Sequence, residues 1–100
     1  MPKLYEYFGL IILFYSNKHE PIHVHGKYQG HESKAEFIIV EGEIVEIRYS
    51  SVRGKKPLKR KQLQDFQAVV ENHAEEIVQK WVDYFVLHRQ ISPETITQRL

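Results

Sequence analysis

One hundred residues, 42% of them hydrophobic and 12% aromatic, suffice for one core and are too few for two independent domains. The formal net charge of +1 gives no global argument for nucleic acid, and the lack of any cysteine removes disulfide frameworks, thiolate nucleophiles and cysteine-based zinc sites. No uncharged apolar run approaches the roughly 20 residues that span a bilayer, and charge interrupts the opening Met-Pro-Lys-Leu-Tyr-Glu-Tyr, so a soluble, cytoplasmic protein without membrane contact is expected.

Leu4 to Phe8 alternates aromatic and polar positions up to Gly9, and Leu10 to Tyr15 is apolar throughout. This predicts a hairpin whose second strand lies centrally, covered on both sides. Ser16 to Pro21 is rich in turn formers and reads as a loop, with Pro21 stopping any strand before it. His23 to Tyr28 is a third strand, closed by Gln29-Gly30.

Glu32 to Val40 and Ile44 to Tyr49 give two more strands around Glu41-Gly42-Glu43. A three-residue loop would set Val40 opposite Ile44, Ile39 opposite Val45, Phe37 opposite Ile47 and Ala35 opposite Tyr49, with Glu36 meeting Arg48 on the other face. That register builds an apolar ladder and an opposite-charge pair. A two-residue loop would set Phe37 against Glu46 and is less favourable.

After the polar stretch Ser50 to Pro57 the period changes. Leu63, Phe66, Val70, Ala74, Ile77, Trp81 and Phe85 form one helical stripe. Asn72 followed by Glu75 resembles a capping box, which predicts a break and two helices, about Leu58 to Glu71 and His73 to His88. The expected fold class is α+β: an antiparallel meander of about five short strands followed by two C-terminal helices packed on one face. Residues 1–88 form the domain, and 89–100 are a tail that is loose or orders against a partner.

Chemistry concentrates in His19-Glu-Pro-Ile-His23-Val-His25, where a strand would point His23 and His25 to one side. As ligands, His23 and His25, with His19, or else His31 or Glu20, as a third, would suit a divalent metal such as Zn, Ni or Fe, the one cofactor the sequence suggests. Two templates fail. A cupin needs a Glu where Gln29 and Gly30 stand, and a histidine-triad phosphate-transfer site needs a third His where Lys27 stands. Histidines fixing a turn by bonds to loop backbone are the plainer reading, and a nucleic-acid contact surface is another.

Arg53, Lys55, Lys56, Lys59, Arg60 and Lys61 place six cations between Val52 and Gln62 with no acid among them, whereas Asp65 to Val86 carries five acids against Lys80. This layout focuses positive potential at one end, the candidate nucleic-acid-binding segment, and sets cations at a helix start where the macrodipole disfavours them. The rival reading is a solvated loop whose lysines aid solubility.

Phe14-Tyr-Ser-Asn-Lys-His-Glu-Pro-Ile-His-Val-His25, together with Ala35-Glu36-Phe37, Glu71-Asn72 and Trp81, resembles the bacterial domain-of-unknown-function family DUF 4160. Lys18, Ile22 and Gly26 depart from the family's usual residues. The resemblance implies no mechanism. It implies a gene beside that of a second small protein, in the manner of a toxin and antitoxin pair. The leading expectation is therefore a small component of such a pair, binding a protein partner and nucleic acid. The rivals are a histidine-dependent metalloenzyme or nuclease, and a structural module that dimerises through the helical face or the tail.

Overall fold

The computed structural model describes residues 2–15 and 21–100, so the loop expected before Pro21 and His19 within it lie outside the described residues. The elements run β1 (Lys3–Tyr7), β2 (Leu10–Leu13), β3 (His23–Tyr28), β4 (His31–Val40), β5 (Glu43–Ser51), α1 (Arg60–Asn72), α2 (Ala74–Trp81), a π-helical turn at Val82–Val86, and β6 (Glu94–Ile96). One six-stranded sheet is formed in the order β5-β4-β3-β2-β1-β6. Every pairing is antiparallel except that of β6 with β1. The class is α+β, as expected, with one strand more than the meander predicts.

The β4–β5 turn corrects the expected loop. Val40 pairs with Glu43, so the loop is the two residues Glu41-Gly42, with φ of 51° and 82°. Positive φ at both positions defines the primed hairpin turn whose twist matches the strands, and glycine adopts it without strain. The turns at Phe8-Gly9 and Gln29-Gly30 have the same geometry. A two-residue loop alone would drive the ladder out of register. The chain absorbs the mismatch between Ile38 and Ile39, where Val45 bulges out to 60% exposure. Beyond the bulge the expected pairs hold: Phe37 with Ile47, Glu36 with Arg48, and Ala35 with Tyr49. The ion pairs run along the strands instead, Arg48 to Glu46 at 2.9 Å and Lys34 to Glu36 at 3.5 Å.

Both helices cover one face of the sheet. Tyr5, Ile12, Phe14, Val24, Ala35 and Phe37 meet Phe66, Val69, Val70 and Ile77, none more than 2% exposed. Gly26 is where a side chain would not fit, because a Cβ there would lie 2.7 Å from the Phe66 ring. The helical break is present, but not by the expected capping box. Asn72 donates from Nδ2 back to the Ala68 carbonyl at 2.7 Å, and the residue that leaves helical geometry is His73, at φ −125°. Its side chain does not cap α2; the Nδ1–H donates back to the Val69 carbonyl in the last turn of α1 at 2.9 Å.

Beyond Trp81 the helix widens, with Leu87 N–H donating to the Val82 carbonyl at 3.0 Å, and His88 turns out of it at φ 56°. The residues expected as a tail return to the sheet. Tyr5, Glu6 and Tyr7 of β1 pair in parallel with Glu94, Thr95 and Ile96. Lys80 of α2 fixes the strand through Glu94 at 3.2 Å, and the Leu100 N–H donates to the Tyr7 hydroxyl at 2.9 Å. An unpaired β1 edge offered backbone donors and acceptors, and the β-branched Thr95 and Ile96 took them.

Candidate functional site

Alternation along β3 aims Val24 and Gly26 at the helices, which leaves His23, His25 and Lys27 on the other face of the sheet. Register adds Leu13 beside His25 from β2, and Glu32, Lys34 and Glu36 opposite Lys27, His25 and His23 from β4. Both histidines are nevertheless nearly covered, at 9% and 7% exposure, and Glu32 is at 1%.

Each imidazole is held by one nitrogen. His23 Nδ1–H donates to the Pro21 carbonyl at 2.8 Å, and His25 Nδ1–H donates to Glu32 Oε2 at 2.7 Å. Because the acceptors are a carbonyl and a carboxylate oxygen, the neutral form of each ring carries its proton on Nδ1 and its lone pair on Nε2. Tyr15 donates its hydroxyl to the same Glu32 oxygen at 2.8 Å and lays its ring edge-on to His25, centroids 4.1 Å apart. Among the described residues the second carboxylate oxygen, Oε1, is buried with no hydrogen-bond partner.

Burial shifts the titration of two of these groups. It lowers the His25 pKa below the ordinary imidazole value; the bond to Glu32 and its charge oppose that, while the neighbouring His23 ring and Lys34 add to it. His25 is thus a neutral donor to Glu32 near neutral pH, and the pair is a hydrogen bond more than an ion pair. The Tyr15 hydroxyl is pushed up to about 12, first by burial and then by the bond to Glu32 and its charge.

The basic segment lies beside the first residues of β4. Gly54 turns the chain at φ 79°, and Lys56 then lies beside His31 as a parallel bridge. Three bonds pin the return: Glu32 N–H to the Lys56 carbonyl at 2.8 Å, His31 Nδ1–H to the Pro57 carbonyl at 2.9 Å, and Leu58 N–H to Ser33 Oγ at 3.0 Å. Arg53, Lys55, Lys56, Lys59, Arg60 and Lys61 are all exposed. Of these, Lys61 pairs with Asp65 at 2.9 Å, and the others form no ion pair among the described residues. Lys59 precedes α1 without a side-chain cap, and the first turn holds no acid.

His23 and His25 therefore share a face as expected, and Glu32 joins them to the basic segment: its carboxylate holds His25 while its backbone holds Lys56. Among the described residues no group of three or more His, Asp or Glu is arranged to hold a metal, and His19 of the expected trio lies outside them. Glu32 and Tyr15 were not singled out from the sequence. The signal for Glu32 was present, because a two-residue turn at Gln29-Gly30 puts it opposite Lys27 and so on the histidine face.

These features define a small α+β protein with a core on one sheet face and a His-Glu-Tyr cluster on the other, beside a fixed cationic segment. The chain matches the family described as Domain of unknown function (DUF4160) over residues 9–82, and it belongs to that family. The matched span holds the cluster and the basic segment, whereas β1 and β6 fall outside it. No curated protein and no solved structure matches the chain. Among the described residues no helix is long and apolar enough to cross a membrane.

Proposed function

We propose that this protein binds nucleic acid through Arg53 to Lys61, as the small member of a two-component pair of the toxin and antitoxin kind. The observation that carries the nucleic-acid reading is the state of the cations. They are exposed, all but Lys61 lack ion pairs among the described residues, and they stand on a return that three hydrogen bonds fix to β4. A solubilising loop has no need of such bonds. A phosphate-binding surface does, since pre-placed charges lose less freedom on binding.

The partner half rests on the family resemblance and on a surface at the other end of β4 from the cations. Ile22, Ile39, Ile44, Val78 and Val82 line a hollow between the hairpin tip and α2, with Glu43 and Glu75 at its rim. Its acidic rim suits a partner segment that is apolar and cationic.

Fluorescence anisotropy with short labelled RNA and DNA at 50 and 200 mM salt tests the first half. Contacts to six phosphates would weaken affinity roughly a thousandfold between those two salt concentrations. The Lys55→Gln, Lys56→Gln, Lys59→Gln variant should flatten that dependence. No binding at 50 mM salt sinks the nucleic-acid reading. The pair reading expects co-purification with the product of the adjacent gene, lost on Ile44→Lys; a mixture that elutes as separate species sinks it.

A further inference from the structure

The bonds to Pro21 and Glu32 explain why His23 and His25 do not move; they do not explain what the remaining nitrogens face. Both imidazoles are bonded through Nδ1, and neither Nε2 has a hydrogen-bond partner among the described residues. Metal-binding histidines are built this way, with one nitrogen given to a carboxylate or backbone carbonyl so that the other is fixed in tautomer and direction. Here one ring has the carbonyl and its neighbour on the same strand face has the carboxylate.

The ring separation fits the same chemistry. Zn–N bonds are about 2.0–2.1 Å and a ring centre lies roughly 1.2 Å beyond its nitrogen, so two tetrahedral imidazole ligands have centroids about 5.2 Å apart. The centroids of His23 and His25 are 5.3 Å apart. Cis ligands of an octahedral ion would stand closer, at about 4.5 Å. Charge points the same way. Glu32 keeps a buried carboxylate oxygen without a partner among the described residues, and a nearby cation would offset that desolvation, while Lys34 on the same face is paired with Glu36 at 3.5 Å.

We propose that Nε2 of His23 and Nε2 of His25 form a two-donor site for a tetrahedral divalent transition metal of the zinc class. Pro21 and Glu32 hold the rings in aim, Tyr15 holds Glu32, and the remaining coordination positions are left to water or to an oxygen of a bound ligand. Glu32 and Tyr15 are positioning residues in this arrangement. Glu32 touches the basic segment only through its backbone N–H to Lys56, so the metal reading is tested separately from nucleic-acid binding.

Cobalt(II) titration of tag-free, chelator-treated protein tests it, read by visible absorption, with zinc then added as competitor. One equivalent of Co²⁺ should develop the intense band of tetrahedral coordination, and Zn²⁺ should abolish it. The His23→Asn, His25→Asn variant should show no band. Glu32→Gln should weaken binding 10- to 100-fold while keeping the ring in place, a loss that a merely structural carboxylate would not produce. The absence of a band at tenfold excess of Co²⁺ over wild-type protein overturns the proposal, as does a band that survives in the double variant. Should the double variant fail to fold by circular dichroism, His23→Asn alone gives the same reading, because among the described residues its ring has a single hydrogen bond, to the Pro21 carbonyl.

Discussion

Toward the helices the sheet presents Tyr5, Ile12, Val24, Ala35 and Phe37, each 2% exposed or less. Those same strands turn Leu13, His23, His25, Glu32 and Lys34 the other way. The first set is held by area and close packing: Gly26 exists to admit the Phe66 ring, and a methyl group there would collide with it. In the second set His25 is held by a directed bond to one Glu32 carboxylate oxygen, which Tyr15, just past β2, also binds. An apolar face tolerates exchange of like for like, whereas a polar cluster fails as a unit when its shared acceptor is removed. The contrast separates residues whose replacement should cost stability alone from those whose replacement should cost less stability and also binding.

Phe66→Ala should strain the contrast most. It empties the centre of the core, and chemical denaturation should show a loss of about 3–5 kcal/mol. Cobalt binding should persist in whatever fraction remains folded, since no part of the histidine cluster touches that ring. Glu32→Ala comes next, because it leaves two donors in buried surroundings without an acceptor and should cost about 1–3 kcal/mol. Relief of the orphaned Oε1 offsets part of this, so a loss near the lower end is expected. Tyr15→Phe removes only one donor and should cost about 1 kcal/mol, measured the same way. The triple glutamine variant of Lys55, Lys56 and Lys59 should leave the denaturation midpoint unchanged within error, while its effect on nucleic-acid affinity is the largest of the set. A midpoint shift comparable to that of Glu32→Ala would show that the segment serves folding.

Much of the fold was legible because its signals are local. Period two put His23 and His25 on one side, X-Gly pairs marked the turns, and the stripe from Leu63 to Trp81 gave the helical layer. The ladder Ala35–Tyr49 and Phe37–Ile47 was readable, yet the loop beside it was not, since either register alone satisfies one end of the hairpin and only a bulge at Val45 satisfies both. The helical break was visible in the residues around Asn72 for a reason the structure replaces, and the π-helical turn leaves no mark because its residues obey the α-helical spacing. Glu-Thr-Ile is too short to declare itself a strand; it becomes one only when the β1 edge and Lys80 are in place. In the candidate site, Glu32 was hidden for a similar reason: its role depends on a register, and no single stretch of sequence shows one.

The parallel joint of β6 to β1 bears on the order in which the chain assembles. Tyr5 and Glu94 are neighbours in the sheet with almost the whole sequence between them, and a parallel pair cannot be made by a tight turn. Closing so long a loop carries its full entropic cost before any contact repays it, whereas the three hairpins close over two residues each. The meander can therefore form from its turns outward while β6 waits for α2 to dock and bring Lys80 to Glu94. Being last to arrive, and held by a three-residue strand, the joint is also the first to open, so the terminal strand acts as a latch on a sheet already built.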